Sequence, residues 1–214
     1  MAKARPAVLT AVLSGAAVVG YVSYRLFVGG GPEVPATLEF GENPAATADG
    51  DADAAPQLAE RLPEFSLDNL AGSPQSIASW PGKPLLINFW ATWCGPCLRE
   101  IPMLKDLQAR RPDLQVVGIA IDRRDPVVGF AANMQFNYPI LIGESAGWDA
   151  AAAFGVNVYA LPFTVFTSAD GSVLGVHTGE LHAEHIENLS AVLQDLKAGK
   201  IDLATARARI AGRI

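Results

Sequence analysis

Cys94 and Cys97 are the two cysteines of this 214-residue chain, and they stand in Trp93-Cys94-Gly95-Pro96-Cys97. Two thiols at this spacing can close a redox disulfide or supply half of a metal site. Leu85 to Trp90 is nearly all apolar, and a helix-like pattern follows Cys94. If Cys94 ends the strand and Cys97 lies in the first helical turn, unpaired N–H groups and the positive dipole end favour a thiolate at Cys94. That thiolate would attack a substrate disulfide, and Cys97, turned under the helix, would resolve the mixed disulfide. Gly95 and Pro96 suit the turn into the helix, because proline forfeits no hydrogen bond at an early helical position. Glu100 lies three residues after Cys97 and so on the same helical face. Partly buried, it would have a raised pKa and could accept the Cys97 proton. Trp90 and Trp93 are candidates for the apolar platform around the disulfide, with Trp93 the better of the two and Trp90 alternatively core.

Metal chemistry has less support. His182 and His185, one helical turn apart, could join the cysteines in a four-ligand zinc site, but the long gap and the spacing do not match a zinc finger. A copper-binding assembly chaperone using Cys94, Cys97 and one histidine is an alternative, since copper favours thiolates. A non-catalytic binding module with a structural cysteine pair is another. His177, in a strand-like segment, reads as structural. No metal and no cofactor other than the Cys94–Cys97 disulfide is expected.

The positioning elements can be read in order. Leu62 to Leu67 alternates and Asn69 to Ser73 has turn chemistry, which predicts an N-terminal hairpin. Leu85 to Trp90 is a strand covered on both faces. Leu98, Ile101, Met103, Leu104 and Leu107 recur at helical spacing until Pro112, and Pro102 within that helix lacks the N–H that would bond Leu98. Leu114 to Ile121 reads as a second buried strand, Pro126 to Met134 as a helix, Pro139 to Ile142 as a short strand and Ala146 to Phe154 as a helix. Leu161 to Phe166 and Val173 to Val176 flank the hairpin signal Asp170-Gly171. His182 to Lys197 is an amphipathic helix. The order gives an α/β sandwich with a mixed sheet.

The chain carries 16 Lys and Arg against 22 Asp and Glu, a net charge of −6, which disfavours nucleic acid as a partner. Ala7 to Tyr24 holds no charge, and Leu26 to Val28 extend the run past Arg25. Such a segment is long enough to cross a hydrocarbon core of about 30 Å. Lys3 and Arg5 on its first flank place the N-terminus in the cytoplasm and the remainder outside. The run is longer than a signal peptide's apolar region, so an uncleaved anchor is expected. Gly29 onward is rich in glycine, proline, alanine and acid, and reads as a flexible tether.

The motif Trp93-Cys94-Gly95-Pro96-Cys97 resembles that of thioredoxin, and Pro102 matches the kink proline of that family's active-site helix. Leu161-Pro162-Phe163-Thr164 resembles the family's cis-proline loop. The resemblance implies that Pro162 is cis and faces the cysteines, and that backbone groups of Leu161 pair with a substrate strand. More narrowly, Leu62 to Leu196 resembles the membrane-anchored TlpA/ResA/CcmG group. That likeness rests on Pro63-Glu64-Phe65-Ser66-Leu67, Asn88-Phe89-Trp90-Ala91-Thr92-Trp93-Cys94, Arg99-Glu100-Ile101-Pro102, and Asp170-Gly171 with Gly179. Thioredoxin carries a proton-moving aspartate six residues before its first cysteine, whereas this chain has Asn88, which cannot titrate. Glu100 resembles the glutamate of the ResA-type members. Peroxidase chemistry is disfavoured, because relatives of the peroxiredoxins need proline and threonine where this chain has Ile87 and Ala91.

The resemblance implies a thioredoxin fold, a mixed central sheet flanked by helices, with an N-terminal hairpin extension and a preceding transmembrane helix. The expected organisation is a cytoplasmic tip and anchor over 1–28, an acidic linker over 29–61, the thioredoxin-like domain over 62–198 and a basic C-terminal extension over 199–214. The implied function is that of a protein disulfide reductase tethered to the inner membrane and facing the periplasm. Its implied substrates are apocytochrome c or cysteines of copper-site assembly, and its electron donor a membrane thiol carrier of the DsbD/CcdA type. The Gly95-Pro96 dipeptide is thioredoxin's own, and thioredoxin has a potential of about −270 mV, which predicts a reductant rather than an oxidant.

Overall fold

Six consecutive side chains of β3 (Leu85–Trp90) are buried, in keeping with an apolar sequence that does not alternate. In this computed structural model, which describes residues 57–157 and 159–213, β3 lies between two partners. β4 (Gln115–Ala120) runs parallel to it and β6 (Phe163–Thr167) antiparallel. Outward from β4 come β5 (Ile140–Ile142), parallel, then β1 (Ser66–Asn69) and β2 (Pro74–Ser76), each antiparallel to its neighbour. On the other side β7 (Val173–Thr178) pairs antiparallel with β6. The seven-stranded order is therefore β2-β1-β5-β4-β3-β6-β7, the mixed sheet expected from the motif.

The helices are α1 (Gly95–Arg110), α2 (Arg124–Met134), α3 (Ser145–Ala153), α4 (Ala183–Lys197) and α5 (Leu203–Arg213). Alternation along β3 sends Leu86 and Trp90 to one face and Ile87 and Phe89 to the other. The first face packs against Ile101, Leu104 and Leu107 of α1, Val127 of α2, Leu189 and Leu193 of α4, and Ala206 and Ile210 of α5. The second packs against Ala150 and Ala151 of α3 and against Phe154, with Phe89 stacked on Phe163 at 4.3 Å.

Two boundaries differ from those read in the sequence. Residues 57–61, assigned to the linker, dock on the domain. The Ala59 N–H donates to the Phe154 carbonyl at 2.9 Å, Arg61 bridges Ser172, and the Glu60 carbonyl accepts from the Val173 N–H at 2.9 Å. These are backbone bonds, so the side chains carry no pattern that announces them. The segment assigned as a C-terminal extension folds in part as α5, burying Ala206 and Ile210 against β7. Gly175 makes room for it: a Cβ there would lie 2.6 Å from Ile210 Cγ2. The expected membrane segment, and the linker as far as residue 56, lie outside the described residues. Among the described residues no helix is long and apolar enough to cross a membrane.

Candidate active site

The chain leaves β3 at Trp90 and turns into α1 through four residues. The Cys94 N–H donates to the Ala91 carbonyl at 3.2 Å, and Asp122 holds Thr92 by accepting from both its N–H and its hydroxyl. Cys94 is the N-cap of α1, with extended backbone at φ −88° and ψ 101°. Its sulfur accepts the Cys97 N–H at 3.3 Å, and Pro96 occupies the first turn. The cap therefore aims a backbone donor and the positive helix end at this sulfur. Cys94 and Cys97 are joined as a disulfide, with Cα atoms 5.3 Å apart. Cys97 is fully buried. Cys94, expected to be the exposed cysteine, retains 5% of its surface in this oxidised form.

Glu100 is 1% exposed, on the same buried helix face as Cys97. Its two oxygens have separate partners. Oε1 accepts from Asn88 Nδ2 at 2.7 Å, and Oε2 accepts from the Leu181 N–H at 2.6 Å. Burial pushes the Glu100 carboxyl up to about 7, opposed by those two hydrogen bonds and aided by the charge of Glu180. Burial, with a smaller push from the Glu100 charge, moves the Tyr138 phenol up. Asn88 also donates through Nδ2 to Thr164 Oγ1 at 3.0 Å, which leaves its Oδ1 buried without a partner. A carboxyl poised near neutrality on the face of the buried thiol can both hold and release a proton at physiological pH.

The Leu161–Pro162 peptide is cis. Phe163 pairs with Phe89, so Leu161 and Pro162 sit beside the end of β3 that leads into Cys94. Leu161 packs against the buried cluster that contains both cysteines. Trp93 is 70% exposed and lines a groove of about 670 Å³ with Ile121, Asp122, Arg123, Glu144, Ser145 and Trp148. Trp90, by contrast, is core. A larger cavity of about 800 Å³ lies at the other end of β3, around Lys83, Arg111 and Lys197, and contains none of these residues. Among the described residues, no three His, Cys, Asp or Glu side chains are placed to hold a metal ion.

Two partners of Glu100 could not be read from the sequence in the same way. Asn88 was visible as a residue that cannot titrate, but its bonds to α1 and β6 require the folded sheet. Leu181 acts through its backbone N–H, and a backbone donor has no signature in residue type. Thr164 stands in the motif Leu161-Pro162-Phe163-Thr164, yet nothing in that motif states which group its hydroxyl meets.

The Redoxin family model matches residues 57–193. The thioredoxin-like protein YneN of Bacillus subtilis is 34% identical over 136 residues, covering 61% of this chain and 77% of that protein. The thiol-disulfide oxidoreductase ResA of Halalkalibacterium halodurans is 28% identical over 138 residues, 63% of this chain and 76% of its own length. Among solved structures, a thiol:disulfide interchange protein of the thioredoxin family from Chlorobium tepidum is similar at 32% identity and a TM-score of 0.51. The match covers 61% of this chain and 90% of that one.

Proposed function

This chain belongs to the Redoxin family, and from that membership we propose that Cys94 and Cys97 are the dithiol of a protein disulfide reductase. The enzyme is a thiol–disulfide oxidoreductase with a Cys-X-X-Cys pair. In the reduced state the Cys94 thiolate, favoured by the α1 N-terminus, attacks one sulfur of a substrate disulfide. A mixed disulfide forms and the first substrate sulfur leaves as thiolate. Glu100 takes the proton of Cys97, whose thiolate then attacks Cys94 Sγ. The second substrate sulfur departs, and the Cys94–Cys97 disulfide forms. Two electrons have passed from the dithiol to the substrate, and an external dithiol must restore them. Leu161 and Pro162 present the substrate strand, and Trp93 supplies its apolar platform.

The observation that carries this reading is the Cys94–Cys97 disulfide at the start of α1 with buried Glu100 on the same helical face. The setting rests on other grounds. The uncharged run from Ala7 to Tyr24, flanked by Lys3 and Arg5, supports a single-pass anchor in the inner membrane with the domain in the periplasm. A dithiol kept reduced in an oxidising compartment needs a dedicated donor, a membrane thiol carrier of the DsbD/CcdA type. The resemblance to the TlpA/ResA/CcmG group supports apocytochrome c or copper-site cysteines as substrates.

Insulin reduction by the full chain tests the chemistry. Wild type accelerates reduction by dithiothreitol, and Cys94→Ser falls to the uncatalysed rate. Cys97→Ser accumulates a mixed disulfide with its substrate, detectable on a non-reducing gel. A Cys94→Ser protein that keeps the wild-type rate would remove the assignment.

A further inference from the structure

Three parts of the active site meet in one short loop between β7 and α4. The loop opens at Gly179, whose φ of +105° is a backbone region that favours glycine. The Gly179 N–H donates to the Pro162 carbonyl at 2.8 Å. Glu180 receives Arg99 of α1 in a two-pronged pair: Arg99 Nε lies 3.1 Å from each carboxylate oxygen and Nη2 lies 2.5 Å from Oε2. The next residue, Leu181, donates its N–H to Glu100 Oε2. Four consecutive residues, 179–182, thus touch the cis-proline segment, the cysteine-bearing helix and the buried carboxyl.

The base of the loop is built from all three histidines of the chain. The His182 N–H donates to His185 Nδ1 at 3.0 Å, which caps the first turn of α4. His177 Nε2 lies 3.3 Å from the Glu180 carbonyl, an acceptor only, so this nitrogen carries the proton. The His177 and His185 rings stand 4.4 Å apart, and those of His182 and His185 5.6 Å. His177 is also directly opposite Thr164 in the β6–β7 ladder, and Thr164 accepts from Asn88. Loop base and carboxyl site therefore share one stretch of sheet.

We propose that the loop over residues 179–182 is a positioning strap, in which Arg99, Glu180 and His185 hold the Leu181 N–H on Glu100 and thereby set the proton affinity of that carboxyl. The proposal rests on Glu100 being the proton acceptor of the reaction. An isolated exposed ion pair does little, but a two-pronged arginine–carboxylate pair fixes orientation as well as distance. Here the orientation matters, because the strap's next N–H is a hydrogen-bond donor to a buried charge. The charged and titratable groups near Glu100 are Glu180, from the strap itself, and Tyr138, from the segment before β5. Those facing His185 are His177 from β7, with His182 and Glu184 from the α4 start. Loss of the Leu181 donor leaves the carboxylate with less stabilisation, so its proton affinity rises.

The experiment uses the full chain with ¹³C-labelled glutamate. The double variant Arg99→Ala/Glu180→Ala removes the pair without changing net charge; loss of the Glu180 charge by itself would lower the Glu100 midpoint, so a rise reads the lost Leu181 donor. We expect the Glu100 carboxyl resonance to titrate at least about half a unit above wild type, roughly a threefold change in proton affinity. Exchange of the Leu181 amide proton should quicken by about tenfold or more, as local opening of the strap requires. His185→Ala, which removes the cap at the other end, should move both readouts in the same direction. An unchanged or lowered Glu100 midpoint in the double variant overturns the proposal, and so does unchanged Leu181 exchange. Glu100→Gln separates the two assignments. If it keeps the wild-type pH profile of insulin reduction while the double variant still shifts the Glu100 midpoint, the strap stands and the proton-acceptor role falls.

Discussion

Asn88 meets Glu100 and Thr164 through the same amide nitrogen and leaves its own Oδ1 buried without a partner. A half-turn of the amide would put Oδ1 where Nδ2 stands, able to accept from a protonated Glu100 and from the Thr164 hydroxyl. One side chain can thus serve both protonation states of its neighbour, which an aspartate at this position could not do without adding a second buried charge. The energetic consequence follows from the raised Glu100 pKa. A folded-state value of about 7 against an ordinary 4.5 means that the folded protein binds the proton more tightly than the unfolded chain. The associated stability is complete below the unfolded value and is lost as pH rises through 7, a span worth roughly 3 kcal/mol. Glu100→Gln should therefore flatten the decline in stability between about pH 5 and pH 8, and be more stable than wild type at the upper end by about 2–3 kcal/mol. Urea unfolding at the two pH values measures this. The same slope in both proteins would mean that Glu100 does not carry the titration.

At the scale of the element, the parts that place the cysteines were the most legible. Leu85 to Trp90 reads as a strand covered on both faces and is β3, residue for residue. α1 ends at Arg110, just before the Arg111-Pro112 stop, and contains Pro102 as the sequence indicates. Apolar period and proline punctuation are local signals, so they survive without knowledge of neighbours. α5 is the contrary case. Its basic, alanine-rich sequence offers few apolar residues, and its place in the core depends on an absence elsewhere, the missing side chain of Gly175. Ile210→Ala should cost about 2–4 kcal/mol, as for other fully buried aliphatic truncations. Gly175→Ala should cost about 1–3 kcal/mol by overpacking. The pair is the sharper prediction: in Gly175→Ala/Ile210→Ala the new methyl group occupies space the isoleucine has vacated. Urea denaturation of the four proteins should show a double variant more stable than the sum of the singles by at least about 1 kcal/mol. Strict additivity would show that α5 does not press on β7 at this point.

At the scale of the molecule, Cys94, Cys97 and Glu100 were singled out from residue type and spacing and Pro162 from the resemblance of its loop, whereas the edge of the folded unit was not. The first apolar alternation in this region begins at Leu62, and a boundary drawn from side-chain pattern falls there. The structure begins its contacts earlier, through groups common to every residue. The Glu60 carbonyl accepts from both the Val173 N–H and Arg207 Nη2, tying the start of the domain to β7 and α5 at once. The Ala59 N–H reaches Phe154, and Leu58 packs against the sheet face that carries α3. A chain starting at residue 57 keeps these contacts, and one starting at residue 62 leaves the Val173 N–H and the Phe154 carbonyl without them. With about 1 kcal/mol for each hydrogen bond lost, and the packing of Leu58 besides, the shorter chain should be less stable by about 3 kcal/mol. The residues proposed for the chemistry lie far along the sequence from this edge, at Cys94, Glu100 and Pro162. Near neutral pH, in dilute denaturant where both chains remain folded, their insulin reduction rates should therefore agree. Matched unfolding curves and rates for the two truncations test both halves: equal stability would return the boundary to Leu62, and unequal rates in the folded state would tie the edge to the chemistry.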